Sequence, residues 1–271
     1  MSKRKTLFGL VLDHSGSMAS LTPSTVEGVN RVISDLKALD PREAKVYFTE
    51  CQFGSQLQTP YVGVDIRDVP AMTASWGPHP YAIEGCTKLF DAVGTTIKGM
   101  ERWIENNKFK GQVKVAILTD GAENESREWH IHHPRRDGDD RDLLGLIEYK
   151  QKQGWEFLFQ GTGGSSWLER TFGSVVSHDH FVGYAHNDHA HTSNYMSLSN
   201  TISSSALRGT SFNNAGFEQS QTAAPPAPQT SLINTLLDGH QTWASTTSAD
   251  ASKTVAPLKV VSKPSKEPAK Q

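Results

Sequence analysis

Asp13-His14-Ser15-Gly16-Ser17 sets one carboxylate and two hydroxyls at a spacing of two residues, with Gly16 supplying the backbone freedom for a tight turn. Far along the chain a second carboxylate follows an apolar run, in Thr119-Asp120-Gly121, and between them Thr87 stands in Gly85-Cys86-Thr87-Lys88-Leu89-Phe90-Asp91-Ala92. Asp13, Ser15, Ser17, Thr87 and Asp120 together offer three hydroxyls and two carboxylates. An all-oxygen donor set suits a hard cation, and Mg2+ or Mn2+ is its natural occupant. Taken singly, each motif has an ordinary reading. Asp-x-Ser-x-Ser is a common loop, Ser15 can cap a turn, and Thr-Asp-Gly after a strand is often only a turn. The case for a site therefore rests on whether the chain brings the three segments to one place.

The elements that must do so are readable. Residues 6–12 are a continuous apolar run, as in a strand covered on both faces. The run is short, ends on Asp13 and has no small-residue cleavage site, so it reads as a first strand and not as a secretory leader. Ser24 and Glu27 have the form of a capping box behind Pro23, ahead of a helix with Val26, Val29, Ile33 and Leu36 on one face. Residues 45–53 and 56–64 read as strands joined at Gly54-Ser55, an antiparallel hairpin at a sheet edge. Residues 87–106 form a long helix that aligns Phe90, Val93, Ile97, Met100 and Ile104. A buried strand over 113–119, a helix over 143–153 stopped by Gly154, a strand over 155–160, a weaker strand within 175–184 and a last helix over 194–207 follow. Strands alternating with helices imply an α/β fold: a doubly wound, mostly parallel, Rossmann-like sheet with one antiparallel edge strand. In such sheets sites lie at the carboxyl edge, where the Asp13 and Asp120 segments both emerge.

Composition narrows the field. Lys+Arg 27 against Asp+Glu 29 leaves a net charge of −2, which excludes a nucleic-acid binder held by a global positive field. Lys3-Arg4-Lys5, Arg135-Arg136 and the tail lysines are local solvated patches. No run approaches the roughly 18 apolar residues of a membrane helix. Cys51 and Cys86 have neither metal nor redox spacing and are too few for a disulfide framework, which fits a reduced, cytoplasmic setting. Hydrophobic residues at 36 % suffice for one core with a polar extension. Six of the 13 prolines lie beyond Gly209 among dense Ser and Thr. The expected division is therefore a domain over 1–208 and a flexible, disordered tail over 209–271. Leu232, Ile233, Leu236 and Leu237 mark one short helix in the tail, near 231–243.

The five oxygen-bearing residues resemble the metal-ion-dependent adhesion site of von Willebrand factor A domains, whose pattern is Asp-x-Ser-x-Ser, a separate Thr and a separate Asp. The flanking Leu12-Asp13-His14-Ser15-Gly16-Ser17-Met18, Thr87-Lys88-Leu89-Phe90-Asp91-Ala92-Val93-Gly94, Leu118-Thr119-Asp120-Gly121-Ala122-Glu123-Asn124 and Gly154-Trp155-Glu156-Phe157-Leu158-Phe159 resemble the small stand-alone bacterial and phage members, over about residues 5–205. The resemblance implies a doubly wound fold. It also implies a cation approached by Ser15, Ser17 and Thr87, with Asp13 and Asp120 acting directly or through water, that captures an acidic side chain of a partner protein. The implied role is an intracellular interaction module of a bacterial or phage assembly, chaperone or stress system, without enzymatic activity. Two departures stand out. Cys86 replaces a glycine found in many relatives, and Glu128 to Gly138 form an unusual elaboration beside the metal edge.

Other chemistries are weighed against this one. A phosphotransferase or hydrolase with Asp13 as nucleophile would carry a second acid two residues on, where Ser15 stands. A serine nucleophile would need a base, and His14, adjacent in sequence, points away. Gly161-Thr162-Gly163-Gly164-Ser165 could cradle a phosphate but lacks the lysine of a phosphate loop, and reads better as a strand-to-helix turn. Zinc is the remaining alternative. His130, His132 and His133 form one cluster, and His178, His180, His186, His189 and His191, with Asp179 and Asp188, form the better one. Neither has a structural-zinc spacing with cysteine, and exposed loop histidines are the ordinary account.

Overall fold

The computed structural model describes residues 3–131, 141–162 and 166–217. Its first strand, β1 (Arg4–Asp13), is buried from Thr6 onward, because it lies in the middle of the sheet with helices over both faces. Alternation sends Phe8, Leu10 and Leu12 to one face and Leu7 and Val11 to the other. α1 (Thr22–Lys37) covers the first face. It begins two residues before the expected capping box: Leu21 is the N-cap, Pro23 sits in the first turn, and Ser24 Oγ donates to Leu21 O and Asp188 Oδ1 instead of capping. Proline is tolerated there because first-turn amides have no intrahelical acceptor.

β2 (Ala44–Phe53) runs parallel to β1, and β3 (Leu57–Asp65) returns antiparallel on its outer side, as the hairpin pattern predicts. The connection to the next helix carries a small two-stranded parallel pair, β4 (Thr73–Ala74) and β5 (Pro80–Tyr81), that the sequence pattern does not reveal. α2 (Leu89–Asn107) packs Leu89, Val93, Ile97 and Met100 on the second face, leaving Phe90 and Ile104 partly exposed. β6 (Gln112–Thr119), α3 (Leu143–Lys152), β7 (Trp155–Thr162), α4 (Ser166–Phe172), β8 (Phe181–Tyr184) and α5 (Asp188–Arg208) complete the order. Gly154, at φ +86, ends α3 in the left-handed conformation that glycine adopts freely.

The sheet order is β3-β2-β1-β6-β7-β8, with β3 alone antiparallel, so the doubly wound α/β reading holds. Three features differ from expectation. The weak strand is only four residues long, the last helix starts six residues earlier than its apolar spacing shows, and α4, implied only by the strand-to-helix turn expected before it, has no periodic pattern of its own in the sequence. Polar residues on the buried side of α5, including His191, Asn194 and Ser205, hide its period. The chain also stays on the body past 208: Phe212 is fully buried against Phe8, and its amide donates to Glu156 Oε2 at 2.6 Å. Phe217 is buried as well. Residues 218–271, including the helix expected near 231–243, lie outside the described residues. Among the described residues no helix is long and apolar enough to cross a membrane.

Candidate metal centre

β1 and β6 are adjacent and parallel, so their carboxyl ends deliver Asp13 and Asp120 to the same rim. Asp13, fully buried as the last residue of β1, accepts from Ser15 N at 2.8 Å through Oδ1 and from Thr119 Oγ1 at 2.5 Å through Oδ2. Ser15 and Ser17 hydroxyls lie 3.2 Å apart, and Ser17 Oγ donates to Asp120 Oδ1 at 2.7 Å. Thr87 enters from the loop before α2. A methyl group built on Gly121 would sit 3.7 Å from Thr87 Oγ1 and 3.8 Å from Ser17 Oγ, so the two hydroxyls flank one point beside Asp120. The structure thus brings all five predicted residues together, graded from buried Asp13, Ser15 and Thr87 to exposed Ser17.

The loops are tied to each other as well as to the sheet. Gly16 N donates to Gly85 O at 3.0 Å, Asn124 Oδ1 accepts from Thr87 N at 2.9 Å, and Asn124 N donates to Thr87 O at 3.1 Å. Asp91, in the first turn of α2, accepts from the backbone amides of Arg127, Glu128 and Trp129 at 2.8–2.9 Å. Glu123 accepts from Phe90 N, Glu125 N, Ser126 N and Ser126 Oγ. These carboxylates fold the unusual segment after Asp120 against α2. Its residues 132–140 lie outside the described residues.

The donor chemistry fits a divalent cation. Burial raises Asp13 to about 6, bonds from Thr119 and Ser15 pull it back, and the neighbouring Asp120 carboxylate adds to the rise. Two carboxylates and three hydroxyls gathered at one rim, with the buried acid held above its ordinary range, make a region short of positive charge.

Sequence reasoning missed the supports. Thr119, legible in sequence only as part of a turn, bonds directly to Asp13; Asn124 braces Thr87; Tyr81 Oη donates to Asp13 O at 2.6 Å. Thr119 was findable, since the last residue of β6 faces its neighbour at the end of β1. The zinc alternative is not supported: among the described residues no group of three or more His, Cys, Asp and Glu is placed to hold a metal. His186 meets Thr162 and Ser20, His178 and His180 meet Glu169 and Asp179, and His191 is buried between Tyr184 and Tyr195. Burial lowers His191 to about 4, so it is a core residue and not an exposed loop histidine. His132 and His133 lie outside the described residues, as do Gly163, Gly164 and Ser165 of the glycine-rich turn.

No protein-family model matches the chain, and neither does any curated protein. Solved structures do. The pilus adhesin SpaC from Lactobacillus rhamnosus GG aligns with a TM-score of 0.52 at 12 % identity, over 76 % of this chain and 30 % of that one. The PilB minor pilin from Streptococcus sanguinis aligns at 0.51 and 12 %, over 78 % of this chain and 64 % of that one. A von Willebrand factor type A protein from Catenulispora acidiphila aligns at 0.47 and 10 %, over 73 % and 42 %. The chain spans less than two thirds of each of these proteins, and at such identity the likeness is one of fold alone. The fold is thus one shared with the adhesin and the minor pilin. The β1, α2 and β6 loops of that fold carry the five residues.

Proposed function

We propose that the chain is a divalent-metal-dependent protein-interaction module. Asp13, Ser15, Ser17, Thr87 and Asp120 would hold Mg2+ or Mn2+, and the cation would take a carboxylate from an Asp or Glu of a partner protein. The observation that carries this reading is the meeting of three separate loops at one rim, joined by the Ser17–Asp120 bond and flanked by Thr87. Hydroxyl ligands are neutral and leave much of the dication's charge uncompensated, so an incoming carboxylate can displace a water on the exposed side.

A binding role is favoured over catalysis by what surrounds Asp13. Its partners are hydroxyls and amides, with no acid–base pair aimed at the rim among the described residues. His14, the nearest imidazole, is fully buried; its Nδ1 faces Ala82 O at 2.7 Å and its Nε2 faces Glu84 at 3.7 Å. Burial lowers its pKa, which suits a structural ring more than a proton shuttle at the rim. We also place the chain in the cytoplasm, as part of a bacterial or phage assembly, chaperone or stress system. Both cysteines are free, and Cys86 is exposed beside Thr87, a state that a reducing compartment maintains. The fold's occurrence in a pilus adhesin and a minor pilin accords with work by contact.

The deciding experiment is a Mn2+ titration followed by affinity capture with and without Mg2+, comparing wild type with Asp13→Ala. Partners lost both on chelation and in the variant are ligands of the site. Capture that ignores both treatments would defeat the proposal.

A further inference from the structure

Glu50 and His79 form a buried pair: each side chain is 0 % exposed, and Nε2 lies 2.6 Å from Oε2. Glu50 lies on β2 between two register shifts in the pairing with β3, the kind of irregularity that re-aims a side chain. The pair is fully engaged. His79 Nδ1 faces Pro70 O at 3.1 Å, Gln52 Nε2 donates to the other Glu50 oxygen at 2.7 Å and to Pro80 O at 3.1 Å, and Tyr61 packs edge-on to the imidazole at 5.0 Å. Burial, the largest single influence, would lower His79, but the bond to Glu50, the Glu50 charge and the bond to Pro70 O together outweigh it and leave the ring above its ordinary value. A buried ion pair adds little net stability over apolar residues of the same shape; what it does provide is a fixed position.

The position fixed is that of one connection. Pro70, His79 and Pro80 all belong to the segment between β3 and α2, and the residues that follow hold the metal loop in quick succession. Tyr81 Oη donates to Asp13 O at 2.6 Å, and Ala82 O faces His14 Nδ1 at 2.7 Å. Glu84 N donates to His14 O at 2.8 Å, and Gly85 O accepts from Gly16 N at 3.0 Å. The same segment carries Thr87, two residues before α2.

We infer that Glu50, His79 and Tyr81 are positioning residues of the metal centre: the buried pair anchors the connection between β3 and α2, and that connection holds Asp13 to Gly16 in the arrangement that takes the cation. None of the three supplies a ligand. Glu50 and His79 act through Tyr81, and Tyr81 acts through the Asp13 backbone. The inference rests on the metal reading for its effect on binding, though not for the coupling itself, so the two can fail separately.

The test uses the full chain, with amide hydrogen exchange at residues 14–17 in metal-free protein, Mn2+ affinity by calorimetry, and thermal midpoints. His79→Gln and Tyr81→Phe should each speed exchange at Ser15 and Gly16 and weaken Mn2+ binding about tenfold, as loss of an outer-shell support does. The double variant should be no worse than the weaker single, because both changes break one chain of contacts. A pair with a merely structural role would lower the midpoint of His79→Gln while leaving exchange and affinity unchanged in the folded protein. That outcome, or additive losses in the double variant, overturns the inference. If His79→Gln does not fold, Tyr81→Phe decides alone, since it removes one hydroxyl. A wild type that binds no Mn2+ defeats the metal reading, and the exchange rates then decide the coupling.

Discussion

Asp13 and Glu50 are fully buried carboxylates on the adjacent parallel strands β1 and β2, and their surroundings are opposite. Glu50 has an imidazole partner in His79 and an amide donor in Gln52. Asp13 has a hydroxyl and an amide, and the charge beside it is a second carboxylate, Asp120. Inside the connection the chain completes its own electrostatics and gains a rigid anchor. At the rim it leaves them incomplete, with the missing charge facing the exposed hydroxyl of Ser17. The difference separates a group built to hold still from one built to take something up.

The comparison breaks hardest at Glu50. Glu50→Ala strands a buried imidazole and its neighbours, and should lower unfolding stability by about 3–5 kcal/mol, read by chemical denaturation. Conserved stability would mean the pair is not the anchor that its geometry describes.

Asp13→Asn should act in the reverse sense. Asp13 titrates at about 6 in the folded chain against an ordinary value of 3.8, so the native state holds the proton more tightly than the unfolded one. The group's contribution therefore favours folding below about pH 4 and is lost as pH rises through 6, making ionised Asp13 a cost of about 3 kcal/mol at pH 7 without metal. The neutral amide removes much of that cost. The variant should unfold at higher denaturant than metal-free wild type at pH 7, with the gap closing toward pH 4, while losing Mn2+ affinity by more than about 100-fold. Mg2+ should stabilise wild type and leave the variant unmoved. A variant that is less stable than metal-free wild type would place Asp13 with Glu50 and dissolve the contrast.

Ser17→Ala probes the exposed side of the site. It deletes one neutral hydroxyl of the proposed site and the bond to Asp120, and should weaken Mn2+ about tenfold while stability stays within about 1 kcal/mol, because the residue is solvated in both states.

How far each half could be read from sequence follows from the same contrast. The rim is made of short local motifs at the ends of apolar strands, so Asp13, Ser15, Ser17, Thr87 and Asp120 stand out by residue type and spacing, and the strand alternation places two of their three loops at one edge. The anchor is made of long-range pairs. Glu50 looks like any polar residue on a strand, His79 sits in a proline-rich connection without periodicity, and only the fold shows that they meet across 29 positions. Tyr81, 68 residues from Asp13, is hidden for the same reason. The capping box failed because Ser24 and Glu27 match a pattern that the chain overrides when Ser24 bonds Asp188 on α5. Tertiary contacts, invisible in a local window, decide these cases.

The two cysteines give the mildest test. Cys51 is fully buried on β2, and burial pushes its thiol up to about 12; Cys86 is exposed beside Thr87, and its backbone amide, bonded to Ser55 Oγ at 2.9 Å, ties it to the body. A maleimide should therefore label the folded protein once, at Cys86. Cys86→Ser leaves that amide in place, so stability should stay within about 0.5 kcal/mol, the range of ordinary surface changes, and Mn2+ affinity should hold. A bulky label at the same position keeps all five oxygens but crowds the side from which a carboxylate must arrive. Labelled protein should thus retain Mn2+ and lose acidic ligands, a separation that a change in the metal site itself could not produce. Loss of Mn2+ on labelling would instead show that the Cys86 loop moves with Thr87, and that this rim is softer than the Gly16–Gly85 bond implies.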